Sequence, residues 1–482
     1  MTTPAWVRVG LAAAMACLAA SAPAVAQVAD ARAAAAGLHF APLRFQAPEP
    51  RLHEVQGVPV FFLDDRSVPL VNVLARFEGG YGLFHRELYA AGTALPALLR
   101  YGGTEALPPD SVDRLLEYFA LQTSFGGGGE SVFSSMNTLS EHLAETLDLW
   151  AAMLRTPRFD SAQVEVWRGR ELDAVRRLPE DPQRLAFSEF NRLLYGDHPV
   201  GWEMREDDLT PGVLTIERLR QLHARVLCRD NLMLGVTGDV SWSEMKPLLE
   251  RMLRGWPACT GILPEAPEPA IREQGGVFLI PRALEQSVLV MAHPTEVNLG
   301  DPDYFAAQIG NTILGAGGFS SRLLARVRTE EGYAYSAASL WTTPRKYKGL
   351  VGAVTRTRPE AAASALGLIL EILQGMKDEA PSRDEVGTAV DQIANGFVFN
   401  FETAAQIISR RMSFLSQDLP DDWLEDYLRG VQDVTPAAVQ AVFRRHLRPG
   451  DMTILVVGDP ERMDMVALRA LGPVTLWEPG GR

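Results

Sequence analysis

The sequence has few histidines and cysteines, and after residue 26 it has no hydrophobic run of the roughly 20 residues that a membrane helix needs. No two histidines lie three or four residues apart, so the ligand pair one helical turn apart that is typical of zinc hydrolases is missing. The nearest candidate, His142 with Glu145, has Thr146 where a second histidine would stand, and we interpret it as a solvated helix face. No Cys-x-x-Cys motif occurs, and whether Cys228 and Cys259 pair is left open.

Other common catalytic signatures are also missing. Gly126–Gly129 lacks the Gly-Lys-Ser/Thr ending of a phosphate loop, and no Gly-x-Ser-x-Gly turn is present. The 46 Lys+Arg residues are outnumbered by 60 Asp+Glu residues, which gives a formal net charge of -14. Because such a chain repels polyphosphates at long range, the sequence argues against a nucleic acid partner.

The first 26 residues differ in composition from the rest of the chain. Arg8 precedes the apolar stretch Val9–Ala20, and Ala24-Val25-Ala26 has the small residues of a signal peptidase site. We predict a signal peptide, residues 1–26, that is cleaved after Ala26, and a buried first helix is the alternative. The expected location is therefore the periplasm or the exterior of the cell.

The remaining chain reads as two similar halves, residues 51–256 and 275–482. Residues 27–50 are rich in Ala and Pro and predict an extended arm, and four prolines within residues 257–274 predict a stiff linker between the halves. At one constant offset, residues of the first half recur in the second. The first-half residues are Thr215, Arg225, Leu227, Val236, Gly238 and Asp239, and their counterparts are Thr435, Arg445, Leu447, Val456, Gly458 and Asp459. We interpret this as an internal duplication, with chance similarity as the alternative.

The pattern of short β-branched runs and helical spacings recurs in the same order in both halves. In the first half, strands are predicted at Val58–Leu63, Leu70–Phe77, within Gln122–Asn137 and at Asn231–Val236, and helices at Ala90–Arg100 and Ser140–Leu154. In the second half, strands are predicted at Val277–Ile280, Ser287–Ala292 and Met452–Val457, and helices near Ala306–Leu314 and Glu360–Met376. The expected fold class is α+β, with two homologous lobes, each a mixed sheet packed by helices.

One segment carries a resemblance to a known family. Leu314–Leu324 reads Leu-Gly-Ala-Gly-Gly-Phe-Ser-Ser-Arg-Leu-Leu, and Arg328 and Tyr335 follow around a Gly-x-x-Tyr pattern. Together with Gly102-Gly103-Thr104 and Phe401-Glu402-Thr403, this resembles the pitrilysin and mitochondrial processing peptidase family, peptidase family M16. The resemblance implies the LuxS/MPP-like metallohydrolase type of fold.

The departure from that family concerns its zinc ligands. Aligning Gly103-Thr104 with the family's Gly-Thr puts the inverted zinc motif at Ala94, Ala97 and Leu98, and a further ligand near Asp173 or Ala174. None of the three motif residues can bind zinc, and Pro96 is expected to disturb the helix that would carry them. The chain therefore resembles the family's zinc-free subunits, which implies no cofactor in this chain and zinc in a homologous partner that carries His-x-x-Glu-His.

The resemblance assigns assisting roles to Arg328 and Tyr335. Ser320 or Ser321 is expected to cap a helix, and Gly332 to end it in a left-handed conformation, so that Arg328 and Tyr335 meet. A guanidinium and a phenol can stabilise the negative charge that develops on a peptide carbonyl oxygen. The alternative is an arginine at a helix C-terminus and a half-buried strand tyrosine.

The predicted function is that of a non-catalytic subunit of a periplasmic zinc metallopeptidase heterodimer, inactive alone, that acts on a peptide or unfolded segment. Two alternatives stay open: a pseudo-peptidase that only binds peptides or scaffolds an assembly, and a peptidase with unorthodox ligands. The substrate and the identity of the partner do not follow from the sequence.

Overall fold

The computed structural model describes residues 48–345, 347–420 and 422–480, without the side chain of Glu425. The predicted signal peptide and nearly all of the predicted arm lie outside the described residues. The strands are β1 (Arg51–Val55), β2 (Val58–Asp64), β3 (Leu70–Glu78), β4 (Gln122–Gly127), β5 (Ser131–Leu139), β6 (Leu232–Gly238), β7 (Gly276–Pro281), β8 (Ser287–Thr295), β9 (Ala334–Trp341), β10 (Gly349–Thr357), β11 (Thr453–Gly458) and β12 (Val474–Leu476).

Helices of very different length connect these strands. In the first half they are α1 (Tyr89–Tyr101), α2 (Pro109–Tyr118), α3 (Leu143–Arg155), α4 (Ser161–Arg177), α5 (Pro182–Tyr195), α6 (Ile216–Val226) and α7 (Trp242–Leu253). In the second half they are α8 (Tyr304–Asn311), the single turn α9 (Arg322–Leu324), α10 (Ala362–Asp378), α11 (Arg383–Val398), α12 (Ala404–Ser416), α13 (Trp423–Gln432), α14 (Pro436–His446) and α15 (Met465–Ala470). Two π-helical segments, Thr312–Ala316 and Ala325–Glu330, follow α8 and α9.

The strands form two mixed six-stranded sheets of matching topology. The first sheet has the order β1-β2-β6-β3-β5-β4 and the second β12-β7-β11-β8-β10-β9. Apart from the first strand of each sheet, the two orders correspond strand by strand. The parallel pair β2 and β6 of the first sheet corresponds to the parallel pair β7 and β11 of the second. The predicted α+β class, with a helix-packed mixed sheet in each half, is confirmed.

The duplicated residues occupy equivalent places in the two halves. Thr215 and Thr435 are the N-caps of α6 and α14, and each hydroxyl accepts a hydrogen bond from the backbone N–H three residues later. The strands that follow, β6 and β11, both end at a glycine, Gly238 and Gly458. The repeated residues therefore mark the same helix start and the same strand end.

Each sheet is covered on its outer face by a helix from the other half of the chain. Leu185 and Phe190 of α5 pack on the second sheet, and Ile408 and Met412 of α12 pack on the first. A Cβ at Gly235 of β6 would lie 2.2 Å from Ile408 Cγ2, so glycine is needed there for α12 to approach the sheet. This exchange explains why β8 is buried along its whole length, and the described residues form one compact unit.

A disulfide joins Cys228, just after α6, to Cys259 in the segment that connects the halves. The pairing that the sequence left open is thus present in the structure. Among the described residues, no helix is long and apolar enough to cross a membrane.

Candidate functional site

The positions that align with the family's zinc motif lie on α1 and face the core. Ala94 and Leu98 are fully buried in the apolar cluster of the first half, and Ala97 is half-buried. Pro96 is buried inside α1, yet the helix runs unbroken from Tyr89 to Tyr101, so the expected disturbance of its backbone is not observed. In the part of the chain that is described, no group of three or more His, Cys, Asp or Glu side chains could hold a metal ion.

A polar cluster that the sequence did not reveal lies at the start of α1. Arg86 forms a 2.8 Å ion pair with Asp208, and its guanidinium lies 5.4 Å from the ring centroids of both Tyr89 and Trp202. The Tyr89 hydroxyl donates to the Trp202 carbonyl, and burial raises the pKa of Tyr89. The positive charge of Arg86 is therefore paired with Asp208 inside the protein, as expected of a structural ion pair.

Two positions in the glycine-rich turn of the second half require glycine. Gly315 lies so near β9 that a Cβ there would be 2.2 Å from the backbone N of Ser339, and Gly318 has a φ of 66°. The hydroxyls of Ser320 and Ser321 donate to the carbonyls of Gly317 and Gly318 at 3.1 and 2.6 Å. Ser321 is the N-cap residue of α9, as predicted, but its hydroxyl makes no capping hydrogen bond, because both serine hydroxyls stabilise the turn itself.

Arg328 lies in the π-helical segment Ala325–Glu330, directly after α9. Gly332 follows with a φ of 62°, so the predicted left-handed glycine is confirmed, and Tyr333 N donates to the Val327 carbonyl at 2.9 Å. Short π-helical segments are rare and occur often at functional sites. The wider π turn sets the direction in which Arg328 leaves the helix.

Tyr335 lies at an irregularity of β9. Arg356 of β10 pairs with Ser336 whereas Thr357 pairs with Ala334, so Tyr335 is the extra residue of a β-bulge. Tyr335 is 76% exposed, which contradicts the alternative of a half-buried strand tyrosine. Bulges change the direction of a side chain, and this one turns Tyr335 out of the sheet.

Two buried threonines of β10 hold this bulge. Thr357 donates its hydroxyl to the Tyr333 carbonyl at 2.6 Å, and Thr355 donates to the Ser336 carbonyl at 2.7 Å. Both side chains are almost fully buried, at 2% exposure. The backbone on either side of Tyr335 is thus fixed by side-chain hydrogen bonds from the neighbouring strand.

The structure brings Arg328 and Tyr335 together. The guanidinium carbon of Arg328 lies 4.5 Å from the Tyr335 ring centroid and 5.0 Å from the ring centroid of Phe319 in the glycine-rich turn. Cation–π contacts at exposed sites contribute about 0.5–1 kcal/mol each. Phe319 was missed in the sequence, although an aromatic residue directly after two glycines is unusual in a turn and could have pointed to it.

Arg328 differs from the other arginines of this segment in its charge environment. Arg322 pairs with Glu385 at 2.7 Å and Arg326 with Glu330 at 3.0 Å, and the hydrogen bond from Arg322 lowers the pKa of Glu385 to about 2. No described carboxylate lies within ion-pair distance of Arg328. Its N–H groups are therefore available to an acceptor from outside the chain.

Comparison with known proteins relates part of this chain to a known family. Residues 214–393, which include the glycine-rich turn, Arg328 and Tyr335, match the family model described as the peptidase M16 inactive domain. Over these residues the chain is similar to the peptidase M16 family. The resemblance stated from the sequence is thereby confirmed.

The relatives of this chain carry two kinds of name. An uncharacterized zinc protease of Streptomyces coelicolor is 27% identical over 316 residues, which cover 64% of this chain and 67% of that protein. A non-peptidase homolog of Helicobacter pylori is 19% identical over 405 residues, 84% of this chain and 93% of that protein. A probable inactive metalloprotease of Bacillus subtilis is 25% identical over 229 residues, 46% of this chain and 51% of that protein. Relatives named as inactive thus occur beside relatives named as proteases.

Solved structures share the fold. The peptidase M16 inactive domain from Pseudomonas fluorescens has a TM-score of 0.76 at 22% identity and covers 86% of this chain and 99% of that one. A protease from Helicobacter pylori has a TM-score of 0.74 at 16% identity and covers 85% of this chain and 99% of that one. These structures show the fold of this chain, and the role of Arg328 and Tyr335 stays a prediction.

Proposed function

We propose that this chain is the zinc-free subunit of an exported two-chain peptidase, in which it supplies Arg328 and Tyr335 to the site of a zinc-binding partner. The observation that carries the proposal is the state of Arg328. Its guanidinium lies close to two exposed rings, those of Phe319 and Tyr335, and no described carboxylate pairs with it. An arginine with only a structural role would be expected to pair inside the protein, as Arg86 does with Asp208.

The chemistry of the pair suits the hydrolysis of a peptide bond. Attack on a peptide carbonyl places negative charge on its oxygen, and preorganised donors stabilise that charge more strongly than water does. Arg328 offers permanently charged N–H groups, and Tyr335 offers one phenolic O–H beside them. No group of three or more His, Cys, Asp or Glu side chains among the described residues could hold a metal ion, and the proposal therefore assigns the zinc and its activated water to the partner subunit.

Export is part of the proposal and has support from within the chain. The disulfide between Cys228 and Cys259 fits an oxidising compartment such as the periplasm. With a signal peptide cleaved after Ala26, mass spectrometry of the protein isolated from its host would find Gln27 at the N-terminus. An intact Met1 on the mature protein would contradict export by this route.

A second candidate function is a scaffold that binds peptides without contributing to catalysis. It is favoured by the topology, because β4 and β9 are the last strands of their sheets, and an extended peptide can add to such an edge by main-chain hydrogen bonds. The names of the relatives called non-peptidase or inactive are compatible with either function.

The proposal is tested by reconstitution with a homologous chain that carries His-x-x-Glu-His. We expect each purified chain alone to be inactive on unfolded peptides, and the co-expressed pair to copurify, to contain one zinc per heterodimer and to cleave. If no such chain associates with this protein, or if the zinc-bearing chain cleaves equally well alone, the subunit proposal is wrong. Stoichiometric zinc together with activity in this chain alone would instead support a peptidase with unorthodox ligands.

A further inference from the structure

A pocket in the first half opens beside the start of α1. It has a volume of about 820 Å³, and its walls come from the residues before α1, the segment after α5, one side of α6 and the linker. This is a size typical of ligand sites. Its lining includes the apolar side chains of Leu83, Phe84 and Trp202 and the basic side chains of Arg86, Arg218 and Arg225.

The wall that the linker forms is fixed to the first half at two points. The disulfide between Cys228 and Cys259 holds the start of the linker. Further along, Val200 N donates to His198 Nδ1 at 3.2 Å, so the proton of the neutral ring is on Nε2, which donates to the Pro267 carbonyl at 2.9 Å. The pocket is therefore preformed, and little conformational freedom is lost when a ligand enters it.

Arg225 of α6 brings an unpaired positive charge to this pocket. Its guanidinium carbon lies 4.3 Å from the ring centroid of Phe84, and among the described residues no carboxylate lies within ion-pair distance of it. The other two arginines of the pocket, Arg86 and Arg218, each form an ion pair, at 2.8 and 3.1 Å. The N–H groups of Arg225 are therefore available to an acceptor that enters the pocket.

The second half contains a counterpart of Arg225 that does have a partner. Arg445 is the penultimate residue of α14, as Arg225 is of α6, and the two match in the internal duplication. Arg445 and the adjacent His446 both bond to Asp303, which is the N-cap residue of α8. In the second half the arginine thus completes a cluster inside the protein.

The first half lacks the acidic member of that cluster. Residues 89–103 align with residues 304–318, with Tyr first and Gly-Gly last in both, so that Leu88, the N-cap residue of α1, stands where Asp303 stands before α8. Val226 takes the place of the histidine, and both Leu88 and Val226 are buried. The first half therefore has the guanidinium without its carboxylate, and a carboxylate from outside the chain can take that role.

We propose that this pocket binds a peptide through a carboxylate that pairs with Arg225 and an apolar group that packs on Phe84 and Trp202. The choice of a peptide rests on the proposed function, whereas the carboxylate site rests on the pocket itself. The two oxygens of a carboxylate match the planar N–H edge of a guanidinium. A phosphate-rich ligand is disfavoured, because Asp197 and Glu265 of the lining are exposed at the pocket.

The site can be measured on the full mature chain alone, by fluorescence anisotropy with a labelled Gly/Ser host peptide that ends in leucine. We expect the free C-terminal acid to bind about tenfold more tightly than the amidated peptide, since one charge-assisted pair is sufficient for such a change. The net charge of -14 acts against this preference, so overall charge cannot produce it. Arg225→Gln should make the two peptides bind alike. Arg220→Gln is the matched control, because Arg220 is an exposed arginine of the same helix outside the pocket lining, and it should leave the preference intact.

An amidated host with one internal aspartate distinguishes the two sources of a peptide carboxylate. If it binds as tightly as the free acid, the site accepts a side-chain carboxylate, and if it binds like the plain amide, the site recognises the chain end. Either result supports the site when Arg225→Gln abolishes the difference. Arg225→Lys, which keeps the charge without the planar N–H edge, should retain part of the preference.

The outcomes separate this inference from the proposed function. Equal binding of acid and amide to the wild-type chain, binding of neither, or an acid preference that survives Arg225→Gln would overturn the inference. Arg328→Ala should leave the acid preference unchanged. If Arg328→Ala abolishes the preference instead, the carboxylate pairs with Arg328, and the inference is wrong while the proposed function stands. An acid preference that depends on Arg225 in a chain that fails to form an active heterodimer would refute only the proposed function.

Discussion

Replacing Thr357 by valine should destabilise the bulge that presents Tyr335. The Thr357 hydroxyl is buried and donates to the Tyr333 carbonyl at 2.6 Å, and valine has nearly the same shape without a donor. Loss of one buried hydrogen bond that leaves its acceptor behind costs about 1–3 kcal/mol of the free energy of unfolding. The buried hydroxyls of Thr355 and Thr357 hold the backbone on either side of Tyr335, so the contact of Tyr335 with Arg328 should also weaken.

A matched control variant is available for which the opposite change in stability is expected. Thr237 of β6 is equally buried, but its hydroxyl has no hydrogen-bond partner in the structure. Thr237→Val therefore removes a buried polar group that gains nothing from the fold, and it should stabilise the protein by about 1 kcal/mol. Thr357→Ser, which keeps the hydroxyl, should retain most of the bulge geometry.

Two measurements check this reasoning. Urea denaturation midpoints should fall for Thr357→Val and rise for Thr237→Val. In NMR spectra of the mature protein, the Arg328 side-chain N–H should be shifted upfield by the two rings in the wild type and in Thr357→Ser, and less so in Thr357→Val. Equal midpoints for the two valine variants, or an unchanged Arg328 resonance in Thr357→Val, would refute the role assigned to the hydroxyl.

Three further predictions concern the disulfide, a buried histidine and the metal content. Replacing both Cys228 and Cys259 by serine should cost about 3–4 kcal/mol of unfolding free energy from loop entropy, and an unchanged urea midpoint would contradict this. Burial lowers the pKa of His293 to about 4, so between pH 6.5 and pH 4 the unfolded chain binds a proton that the folded chain does not. The contribution of His293 to the free energy of unfolding should therefore be fully present above pH 6.5 and decline by roughly 3 kcal/mol towards pH 4. His293→Gln should flatten that decline, and a profile identical to wild type would exclude His293 as its source. The purified chain alone should hold no stoichiometric zinc, which metal analysis can disprove.

Regular secondary structure followed from local patterns in the sequence. The alternation of Val71, Val73, Ala75 and Phe77 predicted β3, because one face of that strand packs on the core of its own half. The continuous apolar run of β8 also predicted a strand, but nothing in it indicated what covers its second face. The covering helix, α5, comes from the other half, and its Leu185 and Phe190 are spaced as in any amphipathic helix.

The candidate site was predictable only in part, for a physical reason. The family resemblance pointed to Arg328 and Tyr335, and the structure places them in contact. Their directions depend on a π-helical segment and a β-bulge, and such irregularities arise from tertiary contacts such as the hydroxyls of Thr355 and Thr357. The same holds for the serines of the glycine-rich turn, whose hydroxyls could satisfy either a helix N-terminus or the turn carbonyls.

The central claim is that this chain lends Arg328 and Tyr335 to a partner's peptidase site, and the most direct test is Tyr335→Phe in the assembled, zinc-loaded heterodimer. This change keeps the ring that stacks on Arg328 and removes one hydroxyl. Tyr333→Phe is the control, since Tyr333 packs against the core of the second half, whereas Tyr335 is exposed. We predict that kcat falls by roughly 10²–10³ for Tyr335→Phe and for Arg328→Ala, and stays unchanged for Tyr333→Phe, with assembly and zinc content intact. Unchanged kcat for both Tyr335→Phe and Arg328→Ala in such a complex would contradict the claim and favour the scaffold function.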